Sequence, residues 1–336
     1  MAPTHPPFVE HDLAAPLPEV LRGAVLAIGN FDGVHRGHQH VLARAMKEAE
    51  RLKTRCFALS FEPHPRTLFK PHSPVFRLTP PPMKGQVLEA FGCHGLLTLA
   101  FTKELAGTQA EEFVTRYLVD NAGAAHVISG FNFHFGKARE GSPAFLKEAG
   151  ARHGFGVTIV DAHHHAGEEE PVSSSRIRRC LGAGDTGGAA DLLGYRWAVC
   201  GEVVKGQQIG RTLGYPTANL VLPPSCKLAH GIYAVRFRRA DGTLYDGVAS
   251  YGRRPTFDNG AAWLETFVFD FEGDLYGETV TVSLFDYLRG EEKFESAEAL
   301  VEQMDRDSEA ARSVLTAAKP LSSLDEAMSF ADGSHG

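Results

Sequence analysis

His35 and His38 stand three residues apart around Gly37, at the end of the run A-V-L-A-I-G-N-F-D-G-V-H-R-G-H from Ala24 to His38. Two imidazoles at that spacing can direct donors at one anion. The run opens with an apolar stretch of strand length, Ala24 to Ile28, and breaks at the turn formers Gly29, Asn30, Asp32 and Gly33. A helical pattern follows. Strand, glycine-rich turn and helix start together offer free backbone N–H groups and a positive helix end to the same anion, which suits a phosphate. A solvated turn and a metal pair are the other readings of these residues. A metal pair asks for further ligands and for partners behind them.

A second set lies far along the chain. Leu213 to Leu220 reads L-G-Y-P-T-A-N-L, where Pro216 fixes the backbone and Thr217 and Asn219 fall on one side of a strand start. A hydroxyl and an amide oxygen are hard ligands suited to Mg²⁺ carrying a nucleotide. An ordinary polar turn is an equally open reading. Glu265 sits mid-strand in W-L-E-T-F-V-F-D-F. Facing a ligand, it can take a proton from an attacking hydroxyl; taken alone, the pattern favours the solvated face.

Three further stretches carry possible chemistry. Ser173, Ser174 and Ser175 precede Arg176, Arg178 and Arg179 at a helix start. Serine caps a helix, and capping plus arginine also holds a polyphosphate. The loop Gly130 to Gly141, G-F-N-F-H-F-G-K-A-R-E-G, sets three phenylalanines among polar residues. They either plug the edge of a sheet or stack on a flat ring. This loop is not a P-loop: its gap to Gly136-Lys137 is one residue too long, and Ala138 replaces the needed Ser or Thr. His163 to His165 beside Glu168 to Glu170 lack regular ligand spacing and read as a solvated loop.

These residues need elements to position them. Apolar Val41, Leu42, Ala45, Met46, Ala49 and Leu52 mark one face of a helix after His38. Strands are expected over 54–61, 95–101, 125–129 and 156–161, and helices over 83–91 and 109–121. Alternating β and α predicts a doubly wound parallel sheet, with ligands at the carboxyl ends of its strands. From Tyr195 short strands recur, over 197–204, 218–222, 231–238, 244–250, 263–271 and 279–285, separated by turn signals such as Asp241-Gly242 and Asn259-Gly260. That half predicts an antiparallel barrel or sandwich, closed by a helix near Ser296 to Leu315 with Ala299, Leu300, Met304 and Ala311 inward. The expected organisation is a surface arm over 1–22, an α/β domain over 23–183, a helical connector over 184–194, an all-β domain over 195–318 and a flexible tail over 319–336.

Composition excludes some partners. The 336 residues are 43% hydrophobic and 22% charged, with a formal net charge of −7. No global basic field exists for nucleic acid, so anionic ligands need local cationic pockets. Cys56, Cys93, Cys180, Cys200 and Cys226 are scattered without a C-x-x-C pair, which reads as reduced thiols rather than a disulfide framework or zinc site. The first residues show neither basic nor apolar leader character, and no apolar run reaches membrane-spanning length. The expectation is a cytoplasmic protein without nucleic acid or membrane partners, self-association being left open.

In order along the chain stand I-G-N-F-D-G-V-H-R-G-H-Q, F-E-P-H-P, G-F-N-F-H-F-G-K, S-S-S-R-I-R, G-Y-P-T-A-N, G-R-R-P-T-F, E-T-F-V-F-D-F-E-G-D-L-Y-G and L-R-G-E-E-K-F. With these motifs the chain, from about Val25 to Arg312, resembles the prokaryotic bifunctional riboflavin kinase/FAD synthetase family. The resemblance implies an N-terminal nucleotidyltransferase domain that adenylylates FMN with ATP, releasing pyrophosphate. His35 and His38 would stabilise charge on the α-phosphate. Gly29, Asn30, Phe31 and Asp32 would shape the nucleotide pocket, and Ser174, Ser175 and Arg176 would hold the departing phosphates. Phe61, Pro63, Asn132, Phe133 and Phe135 would line the flavin side. It also implies a C-terminal six-stranded Greek-key barrel that phosphorylates riboflavin. There Gly214, Thr217 and Asn219 would bind Mg²⁺–ATP, and Glu265 would be general base for the ribityl 5′-hydroxyl. The stretch K-G-Q-Q-I-G-R, Lys205 to Arg211, departs from the family's charged Asp-Lys-Arg pattern. Phe131 stands where an acidic or polar residue is common, and Ser175 where Thr is common. An adenylyltransferase whose barrel merely holds flavin, and a flavin sensor without catalysis, are the competing readings. A retained Glu265 and T-A-N triplet argue against both, since a pure binder needs no base.

Overall fold

A computed structural model describes residues 7–164, 170–206, 210, 213–253 and 262–332. The chain divides into two compact units: Met1–Val75 with Thr79–Ser173, and Phe76–Leu78 with Ser174–Gly336.

In the first unit the elements run β1 (Val9–Asp12), β2 (Val25–Ile28), α1 (Arg36–Leu52), β3 (Cys56–Glu62), α2 (Pro65–Phe69), α3 (Met83–Ala90), β4 (Gly95–Ala100), α4 (Lys103–Gly107), α5 (Ala110–Phe113), β5 (His126–Gly130), α6 (Pro143–His153) and β6 (Gly156–Val160). From Val114 to Asn121 the chain beyond α5 continues in the wider π winding. The strands pair in the order β1-β4-β3-β2-β5-β6, and every pair is parallel. All four residues of β2 are buried, as a strand covered on both faces requires. Because β3 lies on one side of β2 and β5 on the other, the order reverses at β2. Ligands of open α/β sheets gather at the carboxyl ends around such a reversal. The turn after β2 and the loops after β3 and β5 leave from that edge.

This unit departs from expectation in the first 22 residues, in helix α6 and at Leu52. The segment 1–22 is not simply a surface arm, since Val9 to Asp12 adds an edge strand to β4 and Leu13 and Leu17 enter the core. Helix α6 was not anticipated, although Ser142 caps it through Phe145 N–H and Pro143 opens it. On α1, Val41, Leu42, Ala45 and Ala49 are buried as expected, whereas Leu52 is exposed.

The second unit contains α7 (Ser174–Gly182), α8 (Thr186–Leu193), β7 (Ala198–Glu202), β8 (Thr217–Leu222), β9 (Gly231–Arg238), β10 (Leu244–Arg253), β11 (Ala262–Val268), β12 (Thr279–Arg289), α9 (Ala297–Ala317) and α10 (Ser323–Ser329). Its strands pair antiparallel in the order β7-β12-β9-β10-β11-β8. A bridge from Val204 to Asn219 returns β8 to the end of β7 and closes the barrel. The connector expected over 184–194 is helical: Asp185 caps α8 through Gly188 N–H, and α7 groups with this unit rather than with the parallel sheet. Phe76–Leu78 joins the unit through Trp197 Nε1–H, which donates to Leu78 O at 2.8 Å, and Arg178 Nε–H, which donates to Phe76 O at 2.6 Å.

The flexible tail expected over 319–336 is instead built into the unit as far as it is described. Helix α10 is capped by Ser322 and buries Leu324 and Met328. Asp325, fully buried, is ion-paired with Arg196. Arg238 donates to the carbonyls of Ala327 and Met328, and Arg236 to that of Ser329, which satisfies the carbonyls a helix end leaves open. The face of α9 also differs from expectation. Ala311 and Leu315 are buried, but so is Asp307, held by Arg289 at 2.6 Å and by Gln303 Nε2–H at 2.9 Å. The Asn259-Gly260 turn, most of G-R-R-P-T-F, residues 207–209 and 211 of the departing loop, and His165, Glu168 and Glu169 lie outside the described residues.

Candidate active sites

In the first unit the turn after β2 is held in a conformation that side chains resist. Phe31 and Val34 take φ of 46° and 37°, each costing about 1–2 kcal/mol for a residue other than glycine. Thr79 holds it there. Its N–H donates to Asp32 Oδ1 at 3.1 Å, its Oγ1–H to Phe31 O at 3.2 Å, and its Oγ1 accepts from Gly33 N–H at 2.8 Å. Asp32 is thus a buried brace of the turn. Phe31 is buried too; its ring packs on Gly29 and meets His38 edge-on at 5.4 Å. Strain of this kind, braced so thoroughly, belongs to positions under functional constraint.

The turn delivers His35 as the N-cap of α1. Its Nδ1 accepts from His38 N–H at 3.3 Å, leaving Nε2 as the nitrogen that carries the ring proton. The His38 ring stacks on that of His35 with centroids 3.7 Å apart. Gly37 is closely packed: a Cβ there would stand 3.2 Å from two atoms of the His35 ring and 3.5 Å from Val172 O, so a larger residue shifts that ring by a few tenths of an ångström. Nδ1 of His38 is buried and has no hydrogen-bond partner among the described residues. Burial first, then the Lys84 ammonium, pulls the His38 pKa down to about 3, so the imidazole is neutral at physiological pH. A buried polar atom left unpaired costs about 1–3 kcal/mol, which a ligand contact offsets.

Lys84, on α3, is a residue the sequence reading missed. It is 2% exposed, and its Nζ donates to Asn30 O at 3.0 Å and Ser60 Oγ at 2.8 Å, with Glu62 Oε2 at 3.7 Å. A lysine amid proline punctuation carries no local signal of burial.

The residues expected on the flavin side divide. Phe61 and Phe135 lie in the core, each 6% exposed. Phe113 links their rings at 6.4 and 5.1 Å. Phe133, half-buried, stacks 5.6 Å from Phe135. Pro63 and Asn132 are exposed. Phe69, four residues beyond the F-E-P-H-P motif, was also overlooked; it is 67% exposed and edge-on to Phe101 at 6.0 Å. Ser174 and Arg176 are half-buried and Ser175 is exposed at the start of α7, which belongs to the other unit.

In the second unit, Asn219 on β8 pairs directly across from Glu265 on β11, and Ser250 on β10 flanks Glu265 on its other side. Directly opposed residues share a face with Cβ atoms about 4.5–5.5 Å apart. Leu264 and Thr266 turn into the barrel, so Glu265 lies on the opposite face with Asn219, half-buried rather than freely solvated. Thr217 Oγ1–H donates to Asn219 Oδ1 at 3.3 Å. Gly214 supplies a left-handed turn before them, with φ of +87°. At Gly206 a Cβ would stand 2.6 Å from Asn219 Nδ2, so the bare backbone there lets the amide keep its place. The Tyr215 ring lies 4.7 Å from Phe267, and its hydroxyl donates to Asp305 on α9. Burial and that carboxylate push the Tyr215 pKa up to about 12. A groove of about 520 Å³ on this unit is lined by Arg236, Tyr245, Phe269, Arg312 and Phe330 among others; none of Thr217, Asn219 or Glu265 lines it.

Residues 17–176 match a family model described as FAD synthetase, and residues 193–315 one described as riboflavin kinase. A Pseudomonas fluorescens protein named bifunctional riboflavin kinase/FMN adenylyltransferase is 41% identical over 296 residues, covering 87% of this chain and 93% of that protein. The protein of that name from Escherichia coli K12 is 35% identical over 298 residues, covering 89% and 95%. A solved structure described as a macrolide-efflux protein from Streptococcus pneumoniae superposes with a TM-score of 0.79 at 31% identity, over 91% of this chain and 98% of that one. Among the described residues no helix is long and apolar enough to cross a membrane. Two family models matched in sequence, and relatives spanned over nine-tenths of their own length, place the chain in the bifunctional riboflavin kinase/FMN adenylyltransferase family, as an enzyme that phosphorylates riboflavin and adenylylates FMN.

Proposed function

We propose that adenylyl transfer takes place over the strained turn and the start of α1. An FMN phosphate oxygen attacks the α-phosphorus of ATP; the new P–O bond forms as the bond to pyrophosphate breaks. His35 and His38 act as hydrogen-bond donors to the α-phosphate, where negative charge builds. The N–H groups at the start of α1 add to them. Asn30 and the backbone from Gly29 to Asp32 receive the nucleotide, with Phe31 as the buried support beneath His38. Phe133, Asn132 and Pro63 contact the flavin, while Phe61 and Phe135 back them from the core. The single observation carrying this reading is the stacked imidazole pair at a helix N-terminus, one ring nitrogen buried without a partner.

We also infer that riboflavin phosphorylation uses the outer face of the β8–β11 ladder. Glu265 accepts the proton of the ribityl 5′-hydroxyl as that oxygen attacks the γ-phosphorus of ATP and ADP leaves. Thr217 and Asn219 fit a magnesium ion. Cis ligands of an octahedral Mg²⁺ stand about 3.0 Å apart, and their two oxygens are 3.3 Å apart. When bound, the ion neutralises charge on the ATP phosphates. The thiols, all free, suit a reducing compartment, and we place the enzyme in the cytoplasm. Replacing Asn219→Ala tests the metal assignment. The Mg²⁺ concentration giving half-maximal FMN formation should rise at least tenfold, while FAD formation from supplied FMN is unchanged. An unaltered Mg²⁺ requirement removes Asn219 from the site.

A further inference from the structure

We propose that Lys84 is a positioning residue for adenylyl transfer: its buried ammonium ties the Asn30 end of the strained turn to β3 and so fixes the stacked imidazoles against the α-phosphate. This rests on the reading that His35 and His38 act on that phosphate.

Three observations make the lysine costly for stability alone. It is buried, and a buried ion pair is often matched or bettered by an apolar side chain of similar volume. It stands in the first turn of α3, where a cation opposes the helix dipole. Its hydrogen bond to Asn30 O is also redundant for satisfying that carbonyl, because Ser60 Oγ–H already donates to the same oxygen at 3.0 Å. What Lys84 adds is a three-way knot. One ammonium grips Asn30 O, Ser60 Oγ and Glu62. Asn30 precedes Phe31, whose left-handed backbone begins the strained path to His35. Thr79 braces the middle of that path and the His35 cap holds its end. Lys84 adds to the Ser60 bond at its beginning by tying Asn30 O to both Ser60 and Glu62 at the end of β3. The same ammonium helps hold His38 in its neutral form.

The test compares Lys84→Met and His38→Ala in the full-length enzyme, following FAD formation from FMN, FMN formation from riboflavin, and thermal unfolding. For Lys84→Met the expected result is a fall of at least tenfold in kcat for FAD formation. The KM values for ATP and FMN should change less than threefold, and the riboflavin kinase rate should be unchanged. In Lys84→Ala, propylammonium should restore FAD formation at least fivefold, and tetramethylammonium, a cation without N–H donors, should not. Wild-type kcat in folded Lys84→Met, a defect in KM alone, or equal rescue by both cations overturns the proposal. Should Lys84→Met fail to fold, the Lys84→Ala enzyme loaded with propylammonium and then dialysed decides: kcat must fall while the chain stays folded, and a constant kcat overturns the proposal. If His38→Ala retains FAD formation, the underlying reading fails; if His38→Ala loses it while Lys84→Met keeps it, only the role of Lys84 fails.

Discussion

His38 combines two properties that bear on how it can work. Its ring is neutral, because burial and Lys84 keep its pKa near 3, and one of its nitrogens has no partner among the described residues. A neutral imidazole can donate one hydrogen bond but brings no charge of its own before substrate binds. Its ring resonance in NMR should therefore show no titration between pH 8 and 5; an inflection near the ordinary value of 6.5 would contradict the burial argument. The same shift has a stability consequence. Between about pH 6.5 and 3 the unfolded chain binds a proton at this position that the folded chain does not. The contribution is present in full above pH 6.5 and is lost as pH falls toward 3. His38→Gln should thus lose less stability than the wild type between pH 7.5 and 5, measured by urea unfolding. At this scale the sequence was readable where chemistry is repeated locally. The His-x-Gly-His spacing after turn formers placed both imidazoles at a helix start. Lys84 and Asp307 were not readable, because a charged residue in a helix looks solvated until its distant partners, Ser60 or Arg289, are known.

Elements set the geometry of each site through a few crowded backbone positions. In the barrel, Asn219 keeps its orientation because Gly206 presents no side chain. Gly206→Ala should therefore raise the KM for ATP in riboflavin phosphorylation at least fivefold, with FAD formation from FMN unaffected; steady-state kinetics on both reactions checks this, and an unchanged KM would show that the amide can move freely. The ends of the chain depend on partners too distant for a local pattern to reveal. The four residues V-E-H-D of β1 form a strand only by pairing with Gly95–Thr98. Helix α10 shows a local cap at Ser322, but what holds it is Arg196, Arg236 and Arg238 from the barrel. Asp325→Ala removes the carboxylate partner of the Arg196 guanidinium, leaving it the Lys319 carbonyl, and should destabilise this unit by about 3–5 kcal/mol, seen as a lowered urea midpoint for the tryptophan signal of Trp197 and Trp263. A midpoint unchanged within error would mean that α10 contributes little.

At the scale of the molecule, alternation of strand and helix followed by short strands with turn signals was enough to read two architectures from the sequence. The division between them was less readable: compactness assigns α7 to the barrel unit, and Leu181 O on that helix accepts from Ala229 N–H. Two family matches divide the chemistry along the chain, riboflavin kinase over residues 193–315 and FAD synthetase over residues 17–176. Riboflavin becomes FMN in one and FMN becomes FAD in the other. The most direct measurement is chromatography of flavins after the full-length enzyme and two variants are incubated with ATP, Mg²⁺ and either riboflavin or FMN. His38→Ala should accumulate FMN from riboflavin and make at least 100-fold less FAD, a loss in the range reported for removal of a transition-state donor. Glu265→Gln should make at least 100-fold less FMN from riboflavin yet convert supplied FMN to FAD at the wild-type rate. Loss of both reactions in either folded variant would contradict two separate sites.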